Sequence, residues 1–292
     1  MSVKPIATQE GTKAILNRYP FVFKKKFGQN FLIDQNILNE IIEAAEIEKG
    51  DCILEIGPGI GCVTQPLLKE SDQVIAVEID KLLIPILEDN FKEFPNFQLI
   101  HNDILKVDLH QLLREEAQGK TVKVVANLPY YITTPIIMML LEERLPVETI
   151  TVMVQKEVAL RMAAKPGTKQ YGAITVALNY YASSHLVTNV PRGCFMPSPN
   201  VDSAVIQLRL HPEPPVAVQD EKLLFRLVKA AFSQRRKTLS NTLFSQGDLE
   251  IPKDEIKEIL DSSGIGASIR GETLSLEEFA RLTNIITDYK NK

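Results

Sequence analysis

The segment Asn127-Leu128-Pro129-Tyr130-Tyr131 follows the apolar run KVVA at 123–126, and its residue types suit the holding of a planar base. Asn127 offers a side-chain carbonyl. Leu128 precedes a proline, which biases it toward an extended backbone. Pro129 has no N–H, so the turn shows carbonyl oxygens with few donors of its own. Tyr130 adds a flat ring. Such a set fits alkylation of an exocyclic adenine amine, whose lone pair is delocalised into the ring until it is localised for attack. Asn127 Oδ1 and a backbone oxygen at Leu128 or Pro129 would hold the two amine protons and bias the nitrogen toward a tetrahedral shape. No strong base is needed, so the protein's task is positioning and electrostatics. The plainer alternative is a turn that only packs.

A base reached this way is unpaired or flipped out of its stack, and an aromatic face returns about 1–3 kcal/mol per base. Tyr130 is the candidate on one side. Phe195, in FMPSPNVDS, is the candidate on the other, with core packing between the last two strands as its alternative. Tyr131 has no assigned role beyond packing.

Three earlier strand ends supply a second set. The run CILEI leads into GPGIG, whose glycines Gly57, Gly59 and Gly61 permit a tight turn and close approach of a ligand to a helix start. The third glycine of a dinucleotide fingerprint would fall on Cys62, which weakens a pyrophosphate reading. Glu78 ends the next strand about 20 residues on, where a carboxylate accepts ribose hydroxyls. Asp103 follows the third strand at the same sheet edge, within reach of an adenine amino group. Either acid alone reads as a loop cap; together they read as an adenosine site.

These residues need a sheet to carry them. CILEI, QVIAVEI, FQLIH, KVVAN and TITVMVQ are short apolar runs of the kind a parallel sheet buries on both faces. Helical patterns alternate with them, which implies right-handed crossovers and an open doubly wound sheet. HLVTNV and AVIQLRL add two strands, flank a Pro-rich loop and imply an antiparallel closing pair. The expected fold is α/β, a Rossmann-like sheet of seven strands with a small all-α C-terminal domain. The expected divisions are an N-terminal extension at 1–35, the sheet domain at 36–212 and a helical domain at 213–292, after the Pro-rich linker HPEPPVAVQ.

The 292 residues, 45% of them apolar, suffice for a large core and a smaller second one. Three cysteines, Cys52, Cys62 and Cys194, form no disulfide framework and no CxxC pair, so no metal site is expected. No secretory leader or apolar span is visible, which points to a cytoplasmic protein away from membranes. Net charge is −4, yet the first 30 residues hold six Lys or Arg against one acid, and Arg235, Arg236 and Lys237 form a second basic cluster. A mildly acidic protein with local basic patches can still grip a polyanion, although such patches are commonly solvated faces.

EIGPGIG, VEID, HND, NLPYYITTP and FMPSPNVDSAV, preceded by KKKFGQNFLID, resemble the S-adenosylmethionine-dependent ribosomal RNA adenine N6-methyltransferases, and more specifically their branch that dimethylates adenines of 16S rRNA. The likeness runs from about residue 20 to the C-terminus, and no motif position departs from it. It implies S-adenosyl-L-methionine as cofactor, held by Asn30, Leu32, Gly57, Gly59, Glu78, Asp103 and Asn127. It places the acceptor amine at Asn127, Leu128, Pro129 and Tyr130, with Phe195 opposite. The implied substrate is a pair of adjacent adenosines in the 3'-terminal hairpin loop of 16S rRNA, met in the immature small subunit by a monomeric enzyme. Lys24, Lys25, Lys26, Arg161, Lys165, Lys169, Arg235, Arg236 and Lys237 would then meet rRNA phosphates in a cleft between the domains. The alternatives are a 23S rRNA adenine methylase of the macrolide-resistance type and a non-catalytic assembly factor on the same fold. FSQRRKTLSNTLF and the length of the helical domain favour the 16S branch. A DNA adenine methyltransferase would need a target-recognition domain for which no segment is large enough.

Overall fold

The computed structural model describes residues 5–19, 23–24, 28–245 and 251–291. Two compact units make up the chain: Met1–Ala159 with Ser184–Leu210, and Leu160–Ser183 with His211–Lys292.

The first unit is built on a seven-stranded sheet. Its strands are β2 (Cys52–Ile56), β3 (Gln73–Glu78), β4 (Phe97–His101), β5 (Val122–Asn127), β6 (Val147–Gln155), β7 (Ala182–Val190) and β9 (Ser203–Leu210). The remaining strands, β1 (Phe31–Leu32) and β8 (Phe195–Met196), form a separate antiparallel pair. Every residue of β2 is buried, and β3, β5 and β6 are nearly so. Strands apolar on both faces need helices above and below, which the parallel crossovers provide. The order is β4-β3-β2-β5-β6-β9-β7, with β2 parallel to both β3 and β5 and β9 antiparallel to β6. The chain runs outward from β2 to β4, then returns to lay β5 on the other side of β2. A crevice opens at the carboxyl ends of the strands where the winding reverses, the usual ligand position of such sheets. Gly57, just after β2, and Asn127, the last residue of β5, end neighbouring strands, and both line it.

At the opposite edge, the carbonyls that end the helix Gln35–Ala44 find donors on the sheet. Lys123 donates to Glu46 O and pairs with Asp51 at 2.8 Å in a nearly dry site, while Gln207 donates to Ala44 O. A buried lysine needs such pairing.

Residues before the recognisable motifs also belong to this unit. Ile6 and Ala7 are buried in its core, and Ile6 N–H donates to Gln65 Oε1 at 2.9 Å. Thr8 caps the helix Gln9–Arg18 by accepting from Gly11 N–H. Tyr19 Oη donates to Asp89 at 2.6 Å, and that bond is the main reason its phenol pKa lies above the ordinary value.

The second unit is helical, with helices Ala173–Tyr181, Glu221–Ser233, Leu239–Ser245, Lys253–Ser262 and Leu276–Lys290 among its elements. Ser275 and Glu278 close a capping box on the last of these. Residues 160–183 belong here, although the sequence pattern placed them with the sheet. The physical reason is Tyr171, fully buried, whose hydroxyl donates to Leu274 O at 2.7 Å and whose ring meets Phe232 edge-on at 5.7 Å. Tyr180 and Tyr181 both donate to Glu221, at 3.1 and 3.0 Å.

Candidate functional site

The crevice at the strand ends encloses about 970 Å³ including its open mouth, a size suited to a small-molecule ligand. Among the residues that line it are Asn30, Leu32, Gly57, Gly59, Glu78, Asp103, Asn127, Leu128, Pro129 and Tyr130. Thus all the sequence-derived cofactor and acceptor positions except Phe195 fall on one cavity.

Its floor is the glycine turn. Gly61 has φ +95°, and a Cβ there would sit 2.4 Å from the Phe91 ring, so only glycine fits. Gly59 N–H instead donates to Glu78 Oε2 at 3.2 Å, and Asp80 N–H donates to Glu78 Oε1 at 2.8 Å. Each carboxylate oxygen therefore has one backbone donor and room for another. Glu78 is only 4% exposed, and burial pushes its pKa up to about 7 against those hydrogen bonds. Beside Gly57 the direction of a side chain is empty to 4 Å, so a ligand can lie against its backbone.

Asp103 lines the cavity and also caps the turn that follows, accepting Leu105 N–H at 3.2 Å on Oδ1. The capping and ligand readings coexist, because Oδ2 meets only Lys106 at 4.0 Å among the described residues.

The acceptor end has a defined polarity. Asn127 Nδ2 donates to Asn30 O at 3.1 Å, which leaves Asn127 Oδ1 as the acceptor presented to the cavity. Pro129 O already accepts Ile132 N–H at 3.2 Å and Thr133 Oγ1 at 3.0 Å. Leu128 N–H is tied to Met153 O, whereas Leu128 O accepts no hydrogen bond among the described residues. Of the two backbone oxygens that the sequence left open, Leu128 O is the one free to accept. The Tyr130 hydroxyl bonds Ser203 Oγ at 2.6 Å, fixing the ring from β9.

The family decision rests on the whole chain. Residues 21–287 match the model of the Ribosomal RNA adenine dimethylase family. The chain belongs to that family. The rRNA adenine dimethylase match is supported by relatives named Ribosomal RNA small subunit methyltransferase A. One from Lachnoclostridium phytofermentans is 56% identical over 278 residues, covering 95% of this chain and 96% of its own. Another from Geobacillus thermodenitrificans is 53% identical over 285 residues, covering 97% of each. Among solved structures, a dimethyladenosine transferase from Plasmodium falciparum superposes with TM-score 0.74 at 26% identity, over 86% of this chain and 95% of that one. The 23S rRNA methyltransferase ErmE superposes with TM-score 0.69 at 27% identity, over 88% and 100%. The Rossmann-like methyltransferase sheet expected from the strand pattern is thus the fold of this adenine dimethylase.

Three of the expected site residues are placed apart from the rest. Phe195 does not line the cavity: β8 pairs Phe195 with Leu32, and its ring is 3% exposed, packed in the core with Val190 and Val205. Its core alternative describes it. Lys24 offers no free ammonium, because Nζ sits 2.6 Å from Asp80 Oδ1. Arg235 donates to Lys169 O at 2.9 Å and to Tyr171 O, and its guanidinium lies 3.7 Å from Glu272. It braces the second unit's loop. Lys25 and Lys26 lie outside the described residues. Arg161, Lys165, Lys169, Arg236 and Lys237 are all exposed in the second unit.

Two functional neighbours escaped the sequence reading. Ser203 carries no signal of its own. Glu55 does, as a lone acid within the apolar run CILEI. It lines the cavity at 2% exposure; burial, aided by the charge of Glu78, lifts its pKa to about 8. The nearby Thr64 opposes this rise, although Glu55 Oε2 and Thr64 Oγ1 each lack a partner within hydrogen-bond geometry among the described residues.

Proposed function

We propose that this rRNA adenine dimethylase transfers methyl groups to the N6 amines of two adjacent adenosines in the 3'-terminal hairpin loop of 16S rRNA, within the immature small subunit and as a monomer. Bound S-adenosyl-L-methionine supplies an electrophilic methyl group on a positively charged sulfur. Glu78 would accept its ribose hydroxyls, Asp103 its adenine amine, and the backbone at Gly57 would lie against it. The buried, half-satisfied Glu78 carboxylate fits such a diol, since each oxygen has one acceptor position to spare.

The observation that carries the reading is the fixed polarity of Asn127. Because Nδ2 is committed to Asn30 O, Oδ1 faces outward as an acceptor, beside the free Leu128 O. Two acceptors take the two amine protons and localise the nitrogen lone pair toward the incoming methyl. The methyl group that the cofactor would supply, its sulfur keeping the bonding electrons, would pass to that nitrogen, and the surplus proton would leave the alkylated nitrogen for solvent. After one transfer a single N–H remains, and the same pair of acceptors still suffices to orient it. Tyr130, pinned by Ser203, offers the ring face. Arg161, Lys165, Lys169, Arg236 and Lys237 are the phosphate-binding candidates. The small-subunit names of the relatives above 50% identity support 16S over 23S rRNA as substrate.

The test is transfer of labelled methyl from S-adenosylmethionine to immature small subunits, followed by mapping of the modified nucleotides. Asn127→Ala should lose at least 100-fold in kcat, the scale of removing one preorganised polar contact, while still binding S-adenosylhomocysteine. An active Asn127→Ala enzyme would overturn the role of the amide. Label in large subunits instead would favour the 23S alternative.

A further inference from the structure

A second buried carboxylate stands two residues past Glu78, where like charge would be unwelcome unless it is held by something else. Asp80 is 1% exposed. Its Oδ1 meets Lys24 Nζ at 2.6 Å and Leu82 N–H at 3.1 Å, and its Oδ2 accepts Gln29 Nε2 at 2.7 Å. Gln29 Oε1 in turn accepts Lys24 N–H at 2.8 Å. Lys24, Gln29 and Asp80 thus close a ring of hydrogen bonds. The residue after Gln29 is Asn30, whose carbonyl fixes the Asn127 amide, and the next two form β1, paired to β8. Asn30 O is therefore held from both sides, by the Asp80 ring before it and by the β1–β8 pair after it.

We propose that Asp80 is a positioning residue for methyl transfer, acting through Gln29 and Asn30 to set the orientation of Asn127. This rests on the acceptor role assigned to Asn127 above. Asp80 N–H also donates to Glu78, so one residue joins the ribose carboxylate to the acceptor amide. Its charge is kept by its partners: burial alone would raise its pKa, but Lys24, Leu82 N–H and Gln29 together hold it below the ordinary aspartate value. The cavity then carries a link from cofactor contact to acceptor contact that runs through three hydrogen bonds at or below 3.1 Å and the covalent step from Gln29 to Asn30.

The experiment compares Asp80→Asn, Gln29→Leu, Lys24→Met and Lys24→Arg in the full chain. It measures melting temperature, S-adenosylhomocysteine affinity by calorimetry, and kcat and KM for labelled transfer to small subunits. Gln29→Leu should lower kcat tenfold or more with KM for the subunit within twofold, at near wild-type melting temperature. Lys24→Met should lose several-fold and Lys24→Arg should retain the rate. Lys24→Met added to Asp80→Asn should cost little more than Asp80→Asn alone. If Asp80→Asn does not fold, the partly exposed Gln29 and Lys24 variants still decide the matter. Full kcat in Gln29→Leu and Lys24→Met would overturn the positioning role while leaving the transfer reading intact. A wild-type protein that binds S-adenosylhomocysteine yet methylates no RNA would overturn both.

Discussion

Replacing Glu55 by glutamine should change how the stability of the cofactor-free protein depends on pH. The carboxyl is fully buried with an unpartnered oxygen, and its pKa stands at about 8 against an ordinary 4.5. An acid with a raised folded pKa keeps a proton that the unfolded chain has already released, so stability falls as pH rises between the two values. At about 1.4 kcal/mol per pH unit, Glu55 should remove about 3 kcal/mol between pH 5.5 and 8, and about 1 kcal/mol of that between pH 7 and 8. Glu78, with its pKa near 7, adds to the loss mainly below pH 7, so the upper part of the window isolates Glu55. Glutamine has the same shape and no proton to lose, and its amide can donate to the unpartnered Thr64 Oγ1. Urea unfolding at constant ionic strength should show wild-type stability declining from pH 7 to 8 while Glu55→Gln stays nearly flat. Parallel pH profiles for the two proteins would refute the burial argument.

Other expectations follow from the same geometry. Because Glu78 must be ionised to accept two hydroxyls, S-adenosylhomocysteine affinity should rise from pH 6 to 8, and Glu78→Gln should bind weakly with no such rise in calorimetric titrations. Tyr130→Phe and Ser203→Ala each delete one hydrogen bond worth about 1 kcal/mol, so each should cut kcat/KM about fivefold, and the double variant should be no worse than either. Neutralising Arg236 and Lys237 together should lower the slope of log affinity against log salt for subunit binding by about 1.4–1.8; an unchanged slope would return both to ordinary solvated charge.

The central sheet was legible because β2, β3 and β5 are unbroken apolar runs, and parallel strands leave few other ways to be buried. The cavity was legible because its residues stand at successive strand ends. What escaped depends on partners remote in sequence. β1 and β8 have two residues each, too short for any periodicity, yet their pairing takes Phe195 into the core. A run of lysines does not say which one finds a buried aspartate, so Lys24 looked like its neighbours. Arg235 bonds carbonyls 66 and 64 residues away, and Tyr171 reaches Leu274 across 103. No local composition marks such contacts, which is why the sequence pattern does not separate residues 160–183 from the sheet.

The family likeness starts at residue 21, an inviting place to begin a shortened chain. Cutting there would remove Ile6 and Ala7 from the core and take from Gln65, itself buried, the amide that its side chain accepts. Gln65 lies one turn beyond the glycines, where Gly61 O receives its N–H. Residues 5–19 therefore act as a wedge behind the glycine turn, and a truncation that removes them is a perturbation of the cavity that turn lines.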